Sequence, residues 1–324
     1  MLKIYLMLNE TLIYVISIIT FSIIIDMIIG EVPDKIHPVI FMGTVITKLK
    51  NILPKTKFSG LLISLVTIFL FFVVTLIILF ISALINSWLF IIVAAILLSS
   101  TFSINYLIQT VIAIKKDLDT DIDIARKNMS YLVSRNTSEL TESRITSAAI
   151  ETLTENITDS IVSPLFYTAI VGLLPMGILF MTPCAFIYRV SNTMDAMLGY
   201  KTEELKEIGY VPATLDDILN YIPARLTGLY VVLAAFLLKY DYKQSWNVMR
   251  KFANKTPSPN SGYSMAAAAG ALNITLTKEG VYKLGYGTND LTSEQILKAV
   301  SLTKVTSLLF ILTIILIYFI LILL

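Results

Sequence analysis

The chain has 324 residues, of which 56% are hydrophobic and 15% charged, and its mean hydropathy is +0.78. These values exceed those of ordinary globular domains and indicate a polytopic membrane protein. A net charge of +2, without a basic run interleaved with aromatic residues, argues against nucleic acid as a partner. Cys184 is the only cysteine and His37 the only histidine, which excludes an intramolecular disulfide and a cysteine-based zinc site.

The predicted fold class is all-α, an integral membrane protein in which residues 1–324 form one membrane-embedded domain. A helix rises about 1.5 Å per residue, so about 20 apolar residues cross a hydrocarbon core of about 30 Å. Stretches of that kind predict about four full transmembrane helices, at 11–29, 61–85, 89–114 and 305–324.

Two more apolar segments are predicted to be partial or re-entrant. Pro and Gly residues interrupt 161–188, which favours two half-length helices folded as a hairpin. The segment 226–238 has only 13 residues, short for a crossing. The regions 115–160 and 239–304 are predicted to be cytoplasmic and mainly helical.

Lysine and arginine placement predicts the topology. These residues crowd 35–57, 115–144 and 189–304, whereas the turn at 86–87 has none. The positive-inside rule assigns the crowded regions to the cytoplasm. We therefore expect a multi-pass protein of the cell membrane, in contact with the lipid bilayer, with both termini outside and its polar clusters on the cytoplasmic side.

An acidic ladder precedes the fourth apolar segment. Glu151, Glu155 and Asp159 recur at every fourth position, so a helix carries them on one stripe, where each like-charge pair costs roughly 0.2–0.5 kcal/mol. No Lys or Arg occurs between Ile145 and Tyr188 to offset them. A solvated acidic face would be the ordinary explanation, and a bound Mg²⁺ is the functional one, since Mg²⁺ prefers carboxylates.

Two later clusters also have a structural alternative. Asn192 and Asp195 are three residues apart, as in the capping of a helix N-terminus. Thr214 and Asp217 have the spacing of a capping box.

Capping does not account for Asp216, Asn220 and Arg225 together, because Arg225 stands at the mouth of an apolar segment. Residues 258–262, Ser-Pro-Asn-Ser-Gly, precede an Ala-rich helix predicted over 265–271. Such a loop presents backbone N–H groups to an anion, or it is a simple turn with an N-cap.

The end of the first span carries a further polar group. Asp26 falls in its last turn, where an ionisable side chain is costly and usually faces a polar cavity. One Gly and two Pro residues then break the helix, leaving Glu31 and His37 in a membrane-edge loop.

Five motifs keep their order between about residues 26 and 285. They are Asp26…Gly30-Glu31-x-Pro33…His37-Pro38-Val39…Gly43, Ala149-Ile-Glu151-x3-Glu155-Asn156-x2-Asp159-x4-Pro164-Leu-Phe-Tyr167, Asn192-Thr-x-Asp195-x-Met-x-Gly199-Tyr200-Lys201, Asp216-Asp217…Asn220-x2-Pro223-Ala-Arg225, and Ser258-Pro-Asn260-x-Gly262 with Ala269-Gly270-Ala271-Leu272. Together they resemble the adenosylcobinamide-phosphate synthase family of cobalamin biosynthesis.

The resemblance implies an ATP-dependent acid–amine ligase of the membrane. It would join a carboxylate of adenosylcobyric acid to the amine of aminopropanol or its O-phosphate, giving adenosylcobinamide or its phosphate. It implies ATP and Mg²⁺ as cofactors, the corrinoid and aminopropanol-type molecules as small-molecule partners, and association with other late cobalamin-assembly membrane enzymes. No Gly-x4-Gly-Lys-Ser/Thr motif marks an ATP site.

The motifs supply the candidate residues. The candidate catalytic residues are Glu151, Glu155, Asp159, Asp195 and Asp216, the first three of them also as metal ligands. The candidate substrate-binding residues are Asp26, Glu31, His37, Asn156, Asn192, Tyr200, Lys201, Asn220, Arg225, Ser258 and Asn260.

Their chemistry predicts individual roles. Arg225, Arg189 or Lys201 would bind phosphate, and Asp216 would take the proton of the amine. His37 is either a structural loop residue or, protonated beside carboxylates, a cationic contact for a substrate anion.

The sequence departs from the family pattern in places. Ser134-Arg135-Asn136-Thr137 stands where the family usually has Gly-Arg-Asp-Thr, Arg189 replaces a Lys, and Thr256 replaces a His. Two rival functions remain: a membrane transporter, which would carry its site near the bilayer midplane, and a non-catalytic signalling relative of the same superfamily. The charged motifs favour the enzyme, because they cluster at one membrane edge and keep their acids and asparagines.

Overall fold

The structure is a computed structural model that describes residues 2–30, 32–200 and 202–324, with side chains from residue 10 onward except at position 34. Its described residues form fourteen α-helices. In chain order these are α1 (Leu2–Ile29), α2 (Pro38–Ile52), α3 (Lys57–Ile85), α4 (Ser87–Ser99), α5 (Asn105–Thr120), α6 (Ile122–Met129), α7 (Glu142–Ile157), α8 (Ser163–Gly172), α9 (Gly177–Leu198), α10 (Tyr210–Leu219), α11 (Tyr221–Leu237), α12 (Tyr242–Phe252), α13 (Gly262–Ala271) and α14 (Glu294–Leu323).

One small antiparallel hairpin interrupts the helices. It joins β1 (Leu276–Lys278) to β2 (Tyr282–Leu284), with Lys278 opposite Tyr282. A π-helical turn over Thr158–Val162 links α7 to α8. The predicted all-α class is confirmed, and this hairpin, which the sequence analysis did not predict, is the exception among the described residues.

The chain divides into two compact units, whereas the sequence analysis treated it as one domain. Unit 1 comprises residues 1–103, 163–219 and 313–324. Unit 2 comprises residues 104–162 and 220–312.

Unit 1 is built around α3 and α9, with α2 and α10 packed against both. Its core contains fully buried aliphatic side chains such as Met42, Ile63 and Val190. Each such side chain contributes about 1.5–3 kcal/mol by leaving water. Gly60 on α3 permits close packing, because a Cβ there would lie 2.2 Å from the carbonyl oxygen of Ile208.

Unit 2 is built around α13, which packs against α7, α11 and α12. The residues of α13 are small, and Ala266 to Ala269 are completely buried. Ser245 on α12 donates its hydroxyl to the Ala267 carbonyl oxygen at 2.8 Å. Small side chains on α13 therefore let three helices and the β-hairpin surround it.

Three helices in the described part of the chain are long and apolar enough to cross a membrane: Glu10–Ile29, Lys57–Ile85 and Glu294–Leu323. They contain the predicted spans 11–29, 61–85 and 305–324. The consecutive helices α10 and α11 form a fourth candidate as a broken pair, so the predicted segment 226–238 belongs to a longer apolar element.

The predicted span 89–114 is not one helix. α4 ends at Ser99 and α5 starts at Asn105. The hydroxyls of Ser99, Ser100 and Thr101 donate to the carbonyl oxygens three residues earlier, at 2.8, 2.7 and 2.7 Å. Such side-chain bonds compete with the helix for its carbonyl groups, so a run of hydroxyl residues ends the helix despite the high hydropathy.

The break predicted inside 161–188 is present between α8 and α9. Met176, at φ +60°, makes the turn. The second helix is not half-length, however. α9 has 22 residues and continues through Pro183 to Leu198, beyond the predicted segment.

Candidate functional sites in the two units

Glu151 on α7 is the most enclosed acid of the ladder, with 2% of its side chain exposed. Its Oε2 accepts hydrogen bonds from Arg135 Nη2 at 2.5 Å and Tyr282 Oη at 2.7 Å, and its Oε1 accepts from Ser147 Oγ at 2.7 Å. The Thr277 N–H donates to the same Ser147 hydroxyl at 3.1 Å. We call Arg135, Glu151, Ser147 and Tyr282 the Glu151 network, which ties the β-hairpin to α7.

The Glu151 network places a cation and neutral donors around the buried carboxylate. Burial, followed by the negative charges of Glu151 and Glu155, raises the pKa of Tyr282 far above its ordinary value. Its hydroxyl therefore stays protonated and serves as a donor. Arg135 supplies the positive charge, and breaking such a buried pair typically costs about 3–5 kcal/mol.

The three ladder carboxylates, predicted to bind magnesium, are not gathered into one cluster in this structure. Both oxygens of Glu151 are bonded by groups of the protein. Among the described side chains, no three His, Cys, Asp or Glu groups lie close enough together to hold a metal ion. Magnesium binding by the ladder stays a prediction, but the sequence analysis looked for a compensating cation only between Ile145 and Tyr188, whereas Arg135 comes from the preceding loop.

The rest of the ladder is more exposed. Glu155 lies one turn further along α7, and Asp159 lies in the π-helical turn, and both are partly exposed. Asn156 is bound within its own helix, donating to the Thr152 carbonyl at 2.9 Å and accepting from Ser160 Oγ at 3.3 Å. A π-helical turn holds one more residue than an α-turn, so the regular stripe ends at Glu155.

Arg225 on α11 forms a second cluster in unit 2. Its Cζ lies 3.5 Å from the centre of the Tyr221 ring and 4.4 Å from that of Tyr263. Its Nη1 donates to the Tyr221 carbonyl at 2.6 Å and to Asn260 Oδ1 at 3.2 Å. Within the described residues it forms no salt bridge. We call Arg225, Tyr221, Tyr263 and Asn260 the Arg225 cluster.

The Arg225 cluster joins two motifs that are 35 residues apart in the chain. Asn260 is buried, and its N–H donates to Ser258 Oγ at 3.2 Å, so Ser258 shapes the turn as the structural alternative predicted. Asn220, at the start of α11, is 1% exposed. Of these predicted substrate-binding residues, the structure brings Arg225 and Asn260 into direct contact.

Unit 1 holds a group of acids where α9 packs against α10. Burial, followed by the negative charge of Asp217, raises the pKa of Asp195 from its ordinary 3.8 to about 6. Asp216 is buried on α10. The Asp195 carboxylate folds over Gly199, where a Cβ would lie 2.0 Å from its Oδ1.

The capping alternatives for the two middle motifs are wrong. Asn192 and Asp195 lie inside α9, far from its N-terminus, and Asn192 Oδ1 accepts from Arg189 Nη1 at 3.4 Å. Thr214 lies inside α10 and donates its hydroxyl to the main chain one turn earlier, at 2.7 Å. These polar residues therefore lie in helix interiors and cap no helix N-terminus, which favours a functional explanation.

His37 is the N-cap of α2. The Val39 N–H donates to its Nδ1 at 3.2 Å, which fits the structural alternative of a loop residue that caps a helix. The cationic contact with a substrate anion stays a prediction. Asp26 lies in the last turn of α1, as predicted, and is buried, with 1% exposure.

Tyr200, at the end of α9, is 50% exposed. Glu31 and Lys201 lie outside the described residues.

Sequence reasoning missed Arg135, Tyr282, Tyr221 and Tyr263. Arg135 was visible in the Ser-Arg-Asn-Thr motif, 16 residues before Glu151. No sequence signal links Tyr282 to Glu151 across 131 residues. Tyr221 is one helical turn before Arg225, which is the spacing of a side-chain pair on one helix face.

The fold and these clusters define a class: a polytopic helical membrane protein with polar, partly buried acid and arginine groups. A model of the CobD/Cbib protein family matches residues 19–309. The chain belongs to this family, and cobalamin biosynthesis is its biological process.

Relatives named "Probable cobalamin biosynthesis protein CobD" occur in methanogenic archaea. That of Methanothermobacter thermautotrophicus is 44% identical over 295 residues, covering 91% of this chain and 95% of that protein. Those of Methanococcus aeolicus and Methanocaldococcus jannaschii are 43% and 42% identical, covering 83% and 89% of this chain and 87% and 94% of theirs. No solved structure matches the chain.

Proposed function

We propose that this protein is an ATP-dependent acid–amine ligase of cobalamin biosynthesis. It joins a carboxylate of adenosylcobyric acid to the amine of aminopropanol or its O-phosphate. In the first step ATP phosphorylates the carboxylate and ADP is released. In the second step the amine displaces phosphate from the acyl phosphate and forms the amide. The motif resemblance and the family membership supply this reaction class.

The observation that carries the proposal is the Arg225 cluster. Two tyrosine rings, a main-chain carbonyl and Asn260 fix the guanidinium. Among the described residues no carboxylate forms a salt bridge with it. An arginine fixed in this way is prepared to bind a carboxylate or phosphate through two parallel hydrogen bonds. Both anions occur in the reaction, as acyl donor and as transferred group.

Proton removal from the amine is assigned to Asp195 instead of the predicted Asp216. A general base works best when its pKa lies near the working pH. The pKa of Asp195 is raised to about 6, whereas an ordinary aspartate is a much weaker base. Asp216 remains a buried acid on the adjacent helix and is proposed to orient the substrate.

Mg²⁺ is proposed to enter as MgATP, held mainly by the phosphates. Proteins often contribute only one or two carboxylates to such an ion. Glu155 and Asp159 are proposed for this role, because Glu151 already accepts hydrogen bonds on both carboxylate oxygens.

The test is amide formation by the protein purified in detergent. It is incubated with adenosylcobyric acid, MgATP and either aminopropanol or its O-phosphate, and the amide and ADP are measured by mass spectrometry. We expect equal amounts of both products and none without ATP. Substrate-independent ATP hydrolysis, or no product with either amine, would contradict the proposal and favour the transporter or signalling alternatives.

Localisation is part of the proposal: a multi-pass protein of the cell membrane with its chemistry on the cytoplasmic side. Asn86, in the short turn between α3 and α4, and Asn254, beyond α12, are suitable sites for reporter tags. We expect Asn86 outside and Asn254 in the cytoplasm. Both reporters on one side would contradict this topology.

A further inference from the structure

A pocket of about 360 Å³ opens in unit 2 between residues 134–144 and the tip of the β-hairpin at 277–281. We call it the hairpin pocket. Leu140 and Val281 form an apolar wall, and Arg135, Arg144 and Lys278 carry positive charge. No predicted site residue lines it.

The surroundings of the hairpin pocket are strongly basic. Two further pockets share lining residues with it, one through Arg135 and the other through Arg144. Six cationic residues and two acids line the three together. The cations are Arg126, Lys127, Arg135, Arg144, Lys278 and Lys283, and the acids are Asp123 and Glu279.

Several of these positive charges are available to a ligand. Within the described part of the chain, Lys278 and Lys283 form no salt bridge. Arg144 pairs with Glu279, but both side chains are about half exposed or more, and such pairs are weak. Arg135, which also lines the pocket, has its Nε buried without a hydrogen-bond partner, so one of its donors is unused.

We propose that the hairpin pocket binds a nucleoside triphosphate, with Arg144 and Lys278 on the phosphates and Leu140 and Val281 against the base. This rests on the proposed ligase function and supplies the ATP site that no sequence motif marks. A volume of about 360 Å³ falls within the usual range of about 300–1,000 Å³ for small-ligand sites. A nucleotide carries several negative charges and one apolar ring system, which match the two walls.

The Glu151 network holds part of the pocket lining in a fixed position. Arg135, which lines the pocket, is held by Glu151, and Tyr282, which bonds the same carboxylate, fixes the hairpin that carries Lys278. A fixed receptor loses less entropy when the ligand binds.

The test is nucleotide binding without turnover. Isothermal titration calorimetry with MgATP, in the absence of corrinoid and amine, is applied to the detergent-purified wild type, to Lys278→Ala and to the double variant Arg144→Ala/Lys278→Ala. We expect the dissociation constant to rise about tenfold or more in the double variant, since two charge-assisted contacts are lost. Lys243→Ala, an exposed lysine of the same unit outside the three pockets, is the matched control and should bind as the wild type does.

The outcomes separate the two proposals. Wild-type ATP affinity in a correctly folded double variant, judged by gel filtration, overturns the hairpin site but leaves the ligase proposal standing. Tight, variant-sensitive ATP binding without amide formation supports the site and contradicts the ligase. Inorganic triphosphate should compete with ATP, whereas displacement by dispersed phosphatidylglycerol and not by triphosphate would identify a lipid headgroup site instead. A wild type that binds no ATP overturns the inference.

Discussion

The two units place opposite kinds of neighbour around an acid that is withdrawn from solvent. In unit 2, Glu151 receives hydrogen bonds from an arginine, a tyrosine and a serine. In unit 1, Asp195 is half-buried beside another acid, Asp217, and its pKa rises to about 6. A compensated acid stabilises the fold, whereas an acid placed next to a like charge costs stability, and such perturbed acids cluster at functional sites. Burial of a carboxylate therefore does not by itself distinguish structure from function, and its neighbours do.

The largest expected effect on stability comes from breaking the ion pair between Arg135 and Glu151. Arg135→Ala leaves Glu151 buried with its charge unpaired, so we expect a loss of about 3–5 kcal/mol of unfolding free energy. Thermal unfolding in detergent measures it. The matched control is Arg144→Ala, which breaks the exposed pair with Glu279 and should cost about 0–1 kcal/mol. Equal losses in the two variants would contradict the distinction between the pairs.

Removing the uncompensated acid, Asp195, should raise the free energy of unfolding instead of lowering it. The folded state keeps the proton of Asp195 up to about pH 6, whereas the unfolded chain loses it near 3.8. The contribution of Asp195 to stability therefore falls as pH rises through this window and then levels off. Asp195→Asn should remove that slope and gain about 3 kcal/mol at neutral pH.

The same variant should lose amide formation, although it is more stable than the wild type. Unfolding temperatures between pH 4 and 7, measured beside turnover, check both statements. A variant that is destabilised at pH 7, or one that is fully active, would show that Asp195 is an ordinary structural residue.

A smaller effect is expected at the uncompensated cation of unit 2. Arg225→Lys keeps the charge but loses the planar group that stacks on Tyr221 and Tyr263. We expect a tenfold or larger fall in kcat/KM, about 1.4 kcal/mol, with little change in the unfolding temperature. Lys243→Arg, an exposed exchange of the same kind, serves as control. Unchanged KM values for both ATP and the amine would exclude a substrate contact.

The smallest effect is expected at His37, the N-cap of α2 in unit 1. Asparagine is a good N-cap, so His37→Asn should change stability by no more than about 0.5 kcal/mol, whereas His37→Ala should cost about 1 kcal/mol. The pH–rate profile of His37→Asn should superimpose on that of the wild type. A missing limb in kcat/KM would restore the catalytic explanation of His37.

The sequence by itself determined the helical membrane class, the family and most of the residues worth testing. Hydropathy and length depend on local composition, which is why 11–29 and 61–85 were found with nearly correct limits. Order and spacing of the motifs are also properties of the chain, and they identified the family that the relatives confirm.

Only the tertiary structure decided what each polar residue contacts. The acidic ladder gave no sign that Arg135 and Tyr282, 16 and 131 residues away, would neutralise Glu151. The hydropathy of 89–114 likewise concealed a break made by serine and threonine hydroxyls. The physical reason is the same in both cases: helix formation and burial follow local composition, whereas charge compensation depends on partners that only the folded chain brings together.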